Sequence, residues 1–238
     1  MYHTLLFDFD YTLADSARPC AECINFALRQ MGVSEVPFET ACRTIGLSLP
    51  DIFEKLAGSK DPGQKEVFAR WFLIKAEEVM VDWTRMMAPV PALLPILKHK
   101  GTRLGIVSTK YRHRMVSILN REKLTSYFDI IIGAEDVKQF KPHPEGIQKA
   151  MQALKAADAT TLYIGDSLTD ALSAAHAGID FMAVLTGTTT ADEFRVHRPI
   201  AVLPHLGELT AWLEQDAGHL KQKGIRYESA GCQRQSQG

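Results

Sequence analysis

Leu5-Leu6-Phe7-Asp8-Phe9-Asp10-Tyr11-Thr12 is the stretch whose reading decides the fold. Its first half is short, apolar and bounded by polar residues, the pattern of a buried strand. Two carboxylates follow, two residues apart. In extended chain such residues point to the same side. Carboxylates so placed repel each other and can split their pKa values. One can then stay ionised as a nucleophile or metal ligand while the other carries a proton. A solvated strand end or a helix cap would also account for the pair.

Working outward, the pattern of an apolar run ending in reactive residues recurs. Arg103–Val107 runs into Ser108-Thr109, and Thr161–Gly165 runs into Asp166-Ser167-Leu168-Thr169-Asp170. Lys141-Pro142-His143-Pro144-Glu145 follows the apolar stretch Phe128–Gly133. Ser108 and Thr109 stand at a helix start, where hydroxyls and free backbone N–H groups can hold a phosphoryl oxygen or simply cap the helix. Lys141 is a compact charge in a loop stiffened by two prolines. Asp166 and Asp170 flank a strand-to-helix junction; capping explains one of them more easily than both. Grouped oxygen ligands of this kind suit Mg²⁺, which takes few carboxylates and keeps water and phosphate oxygens.

Between these motifs the period changes. Residues 15–87 read as helical: Cys20, Ile24, Ala27, Leu28 and Met31 recur at helical steps up to Gly32, and 51–58 and 64–81 make further helices. Beyond Ala88-Pro89-Val90-Pro91, strands at 103–107, 128–133, 161–165 and 181–185 alternate with helices at 92–100, 112–121, 145–157, 170–177 and 206–216. Alternation of this kind predicts an α/β fold with a parallel sheet and helices on both faces. An open parallel sheet binds its ligands beyond the carboxyl ends of its strands, so the four motifs are expected at one edge. The expected division is a core from 1–14 and 88–218, an inserted helical unit from 15–87, and a polar, disordered tail from 219–238.

Composition narrows the function. The 238 residues are 46% hydrophobic with a net charge of −1, which gives no reason to expect a nucleic-acid or membrane partner. No signal peptide or membrane span is read, so the chain is expected to be cytoplasmic. Lys110-Tyr111-Arg112-His113-Arg114 reads as a solvated helix start. Cys20 and Cys23 form a lone C-x-x-C; with no completing ligands they read as two helical thiols, and Cys42 and Cys232 complete no disulfide framework.

Motif by motif and in order, the chain resembles the haloacid dehalogenase superfamily from Leu5 to about Leu213. The resemblance implies a Rossmann-like core with an inserted all-helical cap domain. It is narrowest for phosphoglycolate-phosphatase-like enzymes, on the cap segment Arg43-Thr44-Ile45-Gly46-Leu47-Ser48-Leu49 and on Gly165-Asp166-Ser167. It implies Asp8 as the nucleophile that forms an aspartyl-phosphate, and Asp10 as the acid that protonates the leaving oxygen and later activates water. Asp8, the backbone carbonyl of Asp10, and Asp166 would hold Mg²⁺, with Asp170 supporting the metal shell and orienting Lys141. Ser108 and Lys141 would bind the phosphoryl oxygens, with Thr12, Thr109 and Arg43 as further substrate-side residues. Tyr11 stands where many relatives have Gly, and Thr109 where Asn is common. Asp10 argues against dehalogenases and ion pumps, which typically lack a carboxylate there. A small phosphorylated metabolite is the expected partner, with the chain a monomer or homodimer. A pyrophosphatase, a sugar-phosphate mutase of the β-phosphoglucomutase type and a non-catalytic binding protein remain as alternatives.

Overall fold

The computed structural model describes residues 2–222, with side chains to residue 215. Its centre is a six-stranded, all-parallel sheet. The strands are β1 (Thr4–Phe7), β4 (Arg103–Val107), β5 (Ile130–Ile132), β6 (Thr161–Gly165), β7 (Asp180–Val184) and β8 (Ala201–Leu203), in the order β5-β4-β1-β6-β7-β8. The other two strands, β2 (Ala14–Asp15) and β3 (Arg85–Met86), form a small antiparallel ribbon. The chain leaves β1 for β4 on one side and β6 on the other, so the sheet reverses its winding at β1. A crevice opens at such a switch point beyond the strand ends.

Alternation along the strands builds two apolar layers. Leu5, Phe7, Leu104, Ile106, Leu162, Ile164, Met182 and Val184 face one side. They pack against α5 (Val90–His99) and α6 (Arg112–Arg121), and the final helix covers the same layer through Leu209. Leu6, Val107, Tyr163, Phe181 and Ala183 face the other side, against α7 (Glu145–Leu154) and α8 (Leu168–Ala177). The short α9 (Ala191–Phe194) and α10 (Leu209–Gln222) follow β7 and β8.

Between the ribbon strands lie α1 (Ala17–Gln30), α2 (Phe38–Cys42), α3 (Leu49–Ala57) and α4 (Pro62–Trp83). They share a separate apolar cluster. Cys20, Cys23, Ile24, Ala27 and Leu28 of α1 meet Phe68, Phe72, Ala76 and Met80 of α4, with the Phe53 ring tilted against Phe68 at 5.2 Å between centroids. A fully buried Phe contributes about 2–3 kcal/mol of transfer free energy, so this group has a core of its own above the sheet. Gly58 ends α3 in the left-handed conformation, φ 70°, which glycine adopts without a Cβ penalty.

The structure corrects several expectations. The ribbon and β8 were not anticipated, being two or three residues long, too short to show a period of two. β5 spans Ile130–Ile132 rather than 128–133. The last helix starts at Leu209, because Leu206–Glu208 form a 3₁₀ turn, and it continues to Gln222, past the boundary expected at 218. The rest of the expected tail, with Cys232, lies outside the described residues. No described helix is long and apolar enough to cross a membrane.

The expectation of a solvated basic cluster at 110–114 fails most clearly. Lys110 is 7% exposed and Arg114 4%. Lys110 faces Asp10, and Arg114 bonds Glu77 of α4 at 2.5 Å. A run of charges looks the same in sequence whether it meets water or a facing element.

Candidate active site

β1 ends at Phe7, and the ladder carries one residue further: the Asp8 N–H donates to the Ile164 carbonyl at 2.9 Å. The chain then turns. Leu13 and Ala14 both donate to the Phe9 carbonyl, and Tyr11 takes φ 59°. A side chain in this left-handed region costs roughly 1–2 kcal/mol. That explains why Gly would suit the position. Here Tyr11 is buried instead, its hydroxyl against the Cys42 thiol, and burial pushes that hydroxyl's pKa well up. Tyr11 therefore packs beneath the helical cap rather than lining the mouth of the site.

The turn separates the two aspartates. Asp8 is 1% exposed, and its Oδ1 lies 2.9 Å from Lys141 Nζ. Asp10 faces the other way: its Oδ1 accepts from Ser16 Oγ at 2.5 Å and from Lys110 Nζ at 3.0 Å. Thr84 Oγ1 lies 3.3 Å from the same Ser16 Oγ. Both linkers between sheet and cap thus converge on Asp10. Burial holds the Asp8 carboxyl up at about 6, against the lowering influence of Lys141; Asp170 and, least, Asp10 add to the rise. The expected mutual repulsion of Asp8 and Asp10 is therefore a minor cause.

Lys141 gathers the centre. Its Nζ donates to Asp170 Oδ1 at 2.6 Å and to the Tyr163 hydroxyl at 3.2 Å, besides pairing with Asp8. Burial alone would lower its pKa, but Asp170 and Asp8 outweigh it and hold the ammonium charged. Asp170 also closes a capping box on α8, its Oδ2 accepting from the Ser167 N–H at 3.0 Å. Capping and lysine orientation are thus one residue's two tasks. Asp166 accepts from Thr12 Oγ1 at 3.0 Å, and burial, then Asp170 and Asp8, push its carboxyl well up. Ser108 is buried, and its Oγ accepts from the Lys110 N–H at 3.3 Å, which keeps the hydroxyl proton free for a ligand.

The carboxylates of Asp8, Asp166 and Asp170 offer oxygens that all lie within 4.8 Å of one another. No other group of three His, Cys, Asp or Glu among the described residues is so placed. Their charge is incompletely met: Asp8 and Asp166 are both raised by burial, and Asp8 Oδ1 has no aligned hydrogen-bond donor. An all-oxygen donor set with surplus negative charge fits a hard divalent cation. The Asp10 carboxylate stands outside this set. Cys20, Cys23 and Cys42 are free, buried thiols raised by burial.

The cap reaches the site through its loop 43–48. Thr109 Oγ1 donates to the Gly46 carbonyl at 3.2 Å, so this side chain binds the cap rather than facing the cluster alone. A cavity of about 290 Å³ opens beside Asp166 and Ser167, flanked by Arg43 and Lys55 from the cap and by Glu193 from the core. Lys55 Nζ also donates to the Arg43 carbonyl at 3.3 Å. A smaller, mainly apolar pocket of about 50 Å³ lies on the other side, between Asp10, Lys110 and the cap.

Every site residue expected from sequence lies at or beside this edge of the sheet. Sequence reading missed Lys110, Ser16, Thr84, Lys55, Tyr163 and Gly187. Gly187 could have been found: it follows β7, and its backbone passes so close to the Asp166 carboxylate that a Cβ would collide with it. Lys110 stood directly after Ser108-Thr109, a position worth more than the charge run it was read into.

Comparison with known proteins follows the same lines. Residues 5–184 match the family model of haloacid dehalogenase-like hydrolases. A pyrophosphatase PpaX from Bacillus mycoides is 28% identical over 216 residues, covering 91% of this chain and 99% of its own. A phosphoglycolate phosphatase from Aquifex aeolicus is 30% identical over 200 residues, covering 82% and 92%. A solved haloacid dehalogenase-like structure from Bacteroides fragilis superposes with a TM-score of 0.86 at 42% identity, over 88% of this chain and all of that one. With the family model spanning most of its length and the same fold around the same strand ends, the chain belongs to the haloacid dehalogenase-like hydrolase family.

Proposed function

We propose that this protein is a Mg²⁺-dependent phosphatase acting on a small phosphoryl compound, a phosphomonoester or pyrophosphate, that carries a second anionic group. The observation that carries the reading is the buried Asp8–Lys141–Asp170 arrangement, with Asp166 beside it, under a cavity flanked by Arg43 and Lys55. Asp8 attacks phosphorus; the new bond from the Asp8 oxygen to phosphorus forms as the leaving oxygen departs with a proton from Asp10, whose carboxylate must turn from Ser16 and Lys110 to reach it. Water then attacks the aspartyl-phosphate, giving its proton to Asp10 and freeing Asp8. Lys141 and Ser108 hold the transferring oxygens throughout. Asp8, Asp166 and Asp170 are the carboxylates that would hold Mg²⁺, together with the Asp10 carbonyl. When bound, the cation offsets repulsion between carboxylate and phosphate.

The substrate class rests on the cavity and on the relatives. Those relatives are named for pyrophosphate and phosphoglycolate, which share a phosphoryl group with a second anion at short reach. Arg43 and Lys55 are the cations suited to that second group. Turnover of a panel of small phosphate esters and pyrophosphate, with Mg²⁺ and with chelator, tests the proposal. Strong Mg²⁺-dependent hydrolysis of phosphoglycolate or pyrophosphate, well above that of ethyl phosphate, is expected. Equal rates for ethyl phosphate would remove the second anion from the substrate class, and no turnover of any ester would remove the phosphatase.

A further inference from the structure

The buried apolar cluster on the layer of the sheet that faces α7 and α8 runs from Leu6 and Val107 to Ile147, Ala171 and Phe181, and it includes one phenol hydroxyl. That hydroxyl belongs to Tyr163, fully buried in the middle of β6. A phenol placed there must find partners, because an unsatisfied buried hydroxyl is costly. Its oxygen lies 2.8 Å from the Val107 carbonyl, 3.2 Å from Lys141 Nζ and 3.1 Å from Asp170 Oδ1. A phenol has one proton to give. The carbonyl can only accept and the ammonium can only donate. The proton is assigned to Val107, the nearer of its two acceptors, with Asp170 Oδ1 the longer contact at 3.1 Å, and a lone pair receives Lys141. Asp170 Oδ1 is already served by Lys141 at 2.6 Å.

We propose that Tyr163 is a positioning residue of the phosphoryl site, its hydroxyl tying the Lys141 ammonium to the peptide that carries Ser108. The relay runs from the Val107 carbonyl through Tyr163 to Lys141, and so fixes the two phosphoryl-holding groups relative to each other. They lie in loops that follow different strands, β4 and β5, and have no direct bond in common. Asp170 and Tyr163 accept two of the ammonium protons, at 2.6 and 3.2 Å, and Asp8 Oδ1 lies 2.9 Å away as an ion-pair partner without an aligned hydrogen bond. The ammonium group is thereby held in one orientation before substrate arrives, which is worth most in the transition state. The proposal rests on the phosphatase reading.

The test compares wild-type protein, Tyr163→Phe and Phe194→Leu, a packing change two rings away in the same layer. Wild-type turnover is measured first; its absence overturns the phosphatase reading and this proposal together. With wild-type turnover present, Tyr163→Phe is expected to lower kcat about tenfold with KM within about twofold, one hydrogen bond's worth in the transition state. Phe194→Leu is expected to lower Tm and leave kcat intact. Wild-type kcat in folded Tyr163→Phe overturns the positioning role alone, as does a kcat loss in Phe194→Leu equal to that in Tyr163→Phe. A measurement on the unaltered chain guards against a misfolded variant: NMR with ¹⁵N-lysine should show a cross-peak between the Lys141 ammonium protons and the Tyr163 ring, and its absence would also overturn the proposal.

Discussion

Asp8 and Asp10 are two residues apart, yet each meets its own lysine in a different part of the molecule. Asp8 pairs with Lys141 inside the sheet edge, where Asp170 and Tyr163 complete the group. Asp10 pairs with Lys110 at the seam between core and cap, where Ser16 and Thr84 bring in both linkers. The first pair is closed in by core residues alone; the second is joined by Ser16 and Thr84, which lie at the two linkers to the cap. Similar chemistry therefore serves different ends. On the proposed mechanism the first arrangement presents the nucleophile, and the second ties the proton-transfer group to the linkers of the cap.

Replacement of Asp8 by Asn should have the largest effect on turnover, a loss of at least about 10³-fold in kcat, since the nucleophile is gone while size is kept. Near wild-type turnover would end the assignment of Asp8. Next in size are the lysines. Breaking a buried pair strands the partner charge, at about 3–5 kcal/mol. Lys141→Met and Lys110→Met should both destabilise on this scale in urea unfolding. They should differ in catalysis: Lys141→Met removes activity, whereas Lys110→Met retains a measurable rate because it touches no phosphoryl oxygen. Equal kinetic losses would erase the contrast between the two regions.

The metal side of the comparison is read through pH. Asp8 has a folded value of about 6 against an ordinary 3.8. The native state then binds more protons than the unfolded chain between those values. Stability of the metal-free protein from this group therefore falls as pH rises through that window. Mg²⁺ competes for the same oxygens, so it should raise Tm more at pH 7.5 than at pH 5.5. A Mg²⁺ shift that is the same at both would show that the cation does not meet Asp8. The smallest effect is expected at the cap. Arg43→Ala should raise KM several-fold for a substrate with a second anion and leave kcat nearly unchanged, as loss of uniform binding does. Unchanged kinetics across several such substrates would place Arg43 in solvent.

How much of this was legible follows the same division. Asp8, Asp166, Asp170, Ser108 and Lys141 could be read because each ends, or follows, an apolar run, and the topology of a parallel sheet gathers strand ends without further information. The seam could not be read that way. Lys110 and Arg114 are buried only because α4 of the cap lies over them, and nothing local to residues 110–114 records that partner. Tyr163 was hidden for the opposite reason: in an apolar strand it reads as one more core ring. The β2–β3 ribbon and β8 were too short to leave a period.

The core segment 110–121 reaches the last turns of α4 at three points. Lys110 touches Met80 Sδ at 3.1 Å, Arg114 holds Glu77, and Arg121 donates to the Val81 carbonyl and to the Thr84 carbonyl at 2.6 Å. Arg121 thereby satisfies carbonyls that the helix end leaves open. Melting is affected as well as docking. The cap's apolar cluster and the sheet's would otherwise be free to come apart at separate temperatures. With one core segment gripping the cap's longest helix, heat is expected to dismantle the described structure in a single cooperative step, which coincident melting curves from far-UV and near-UV dichroism would check.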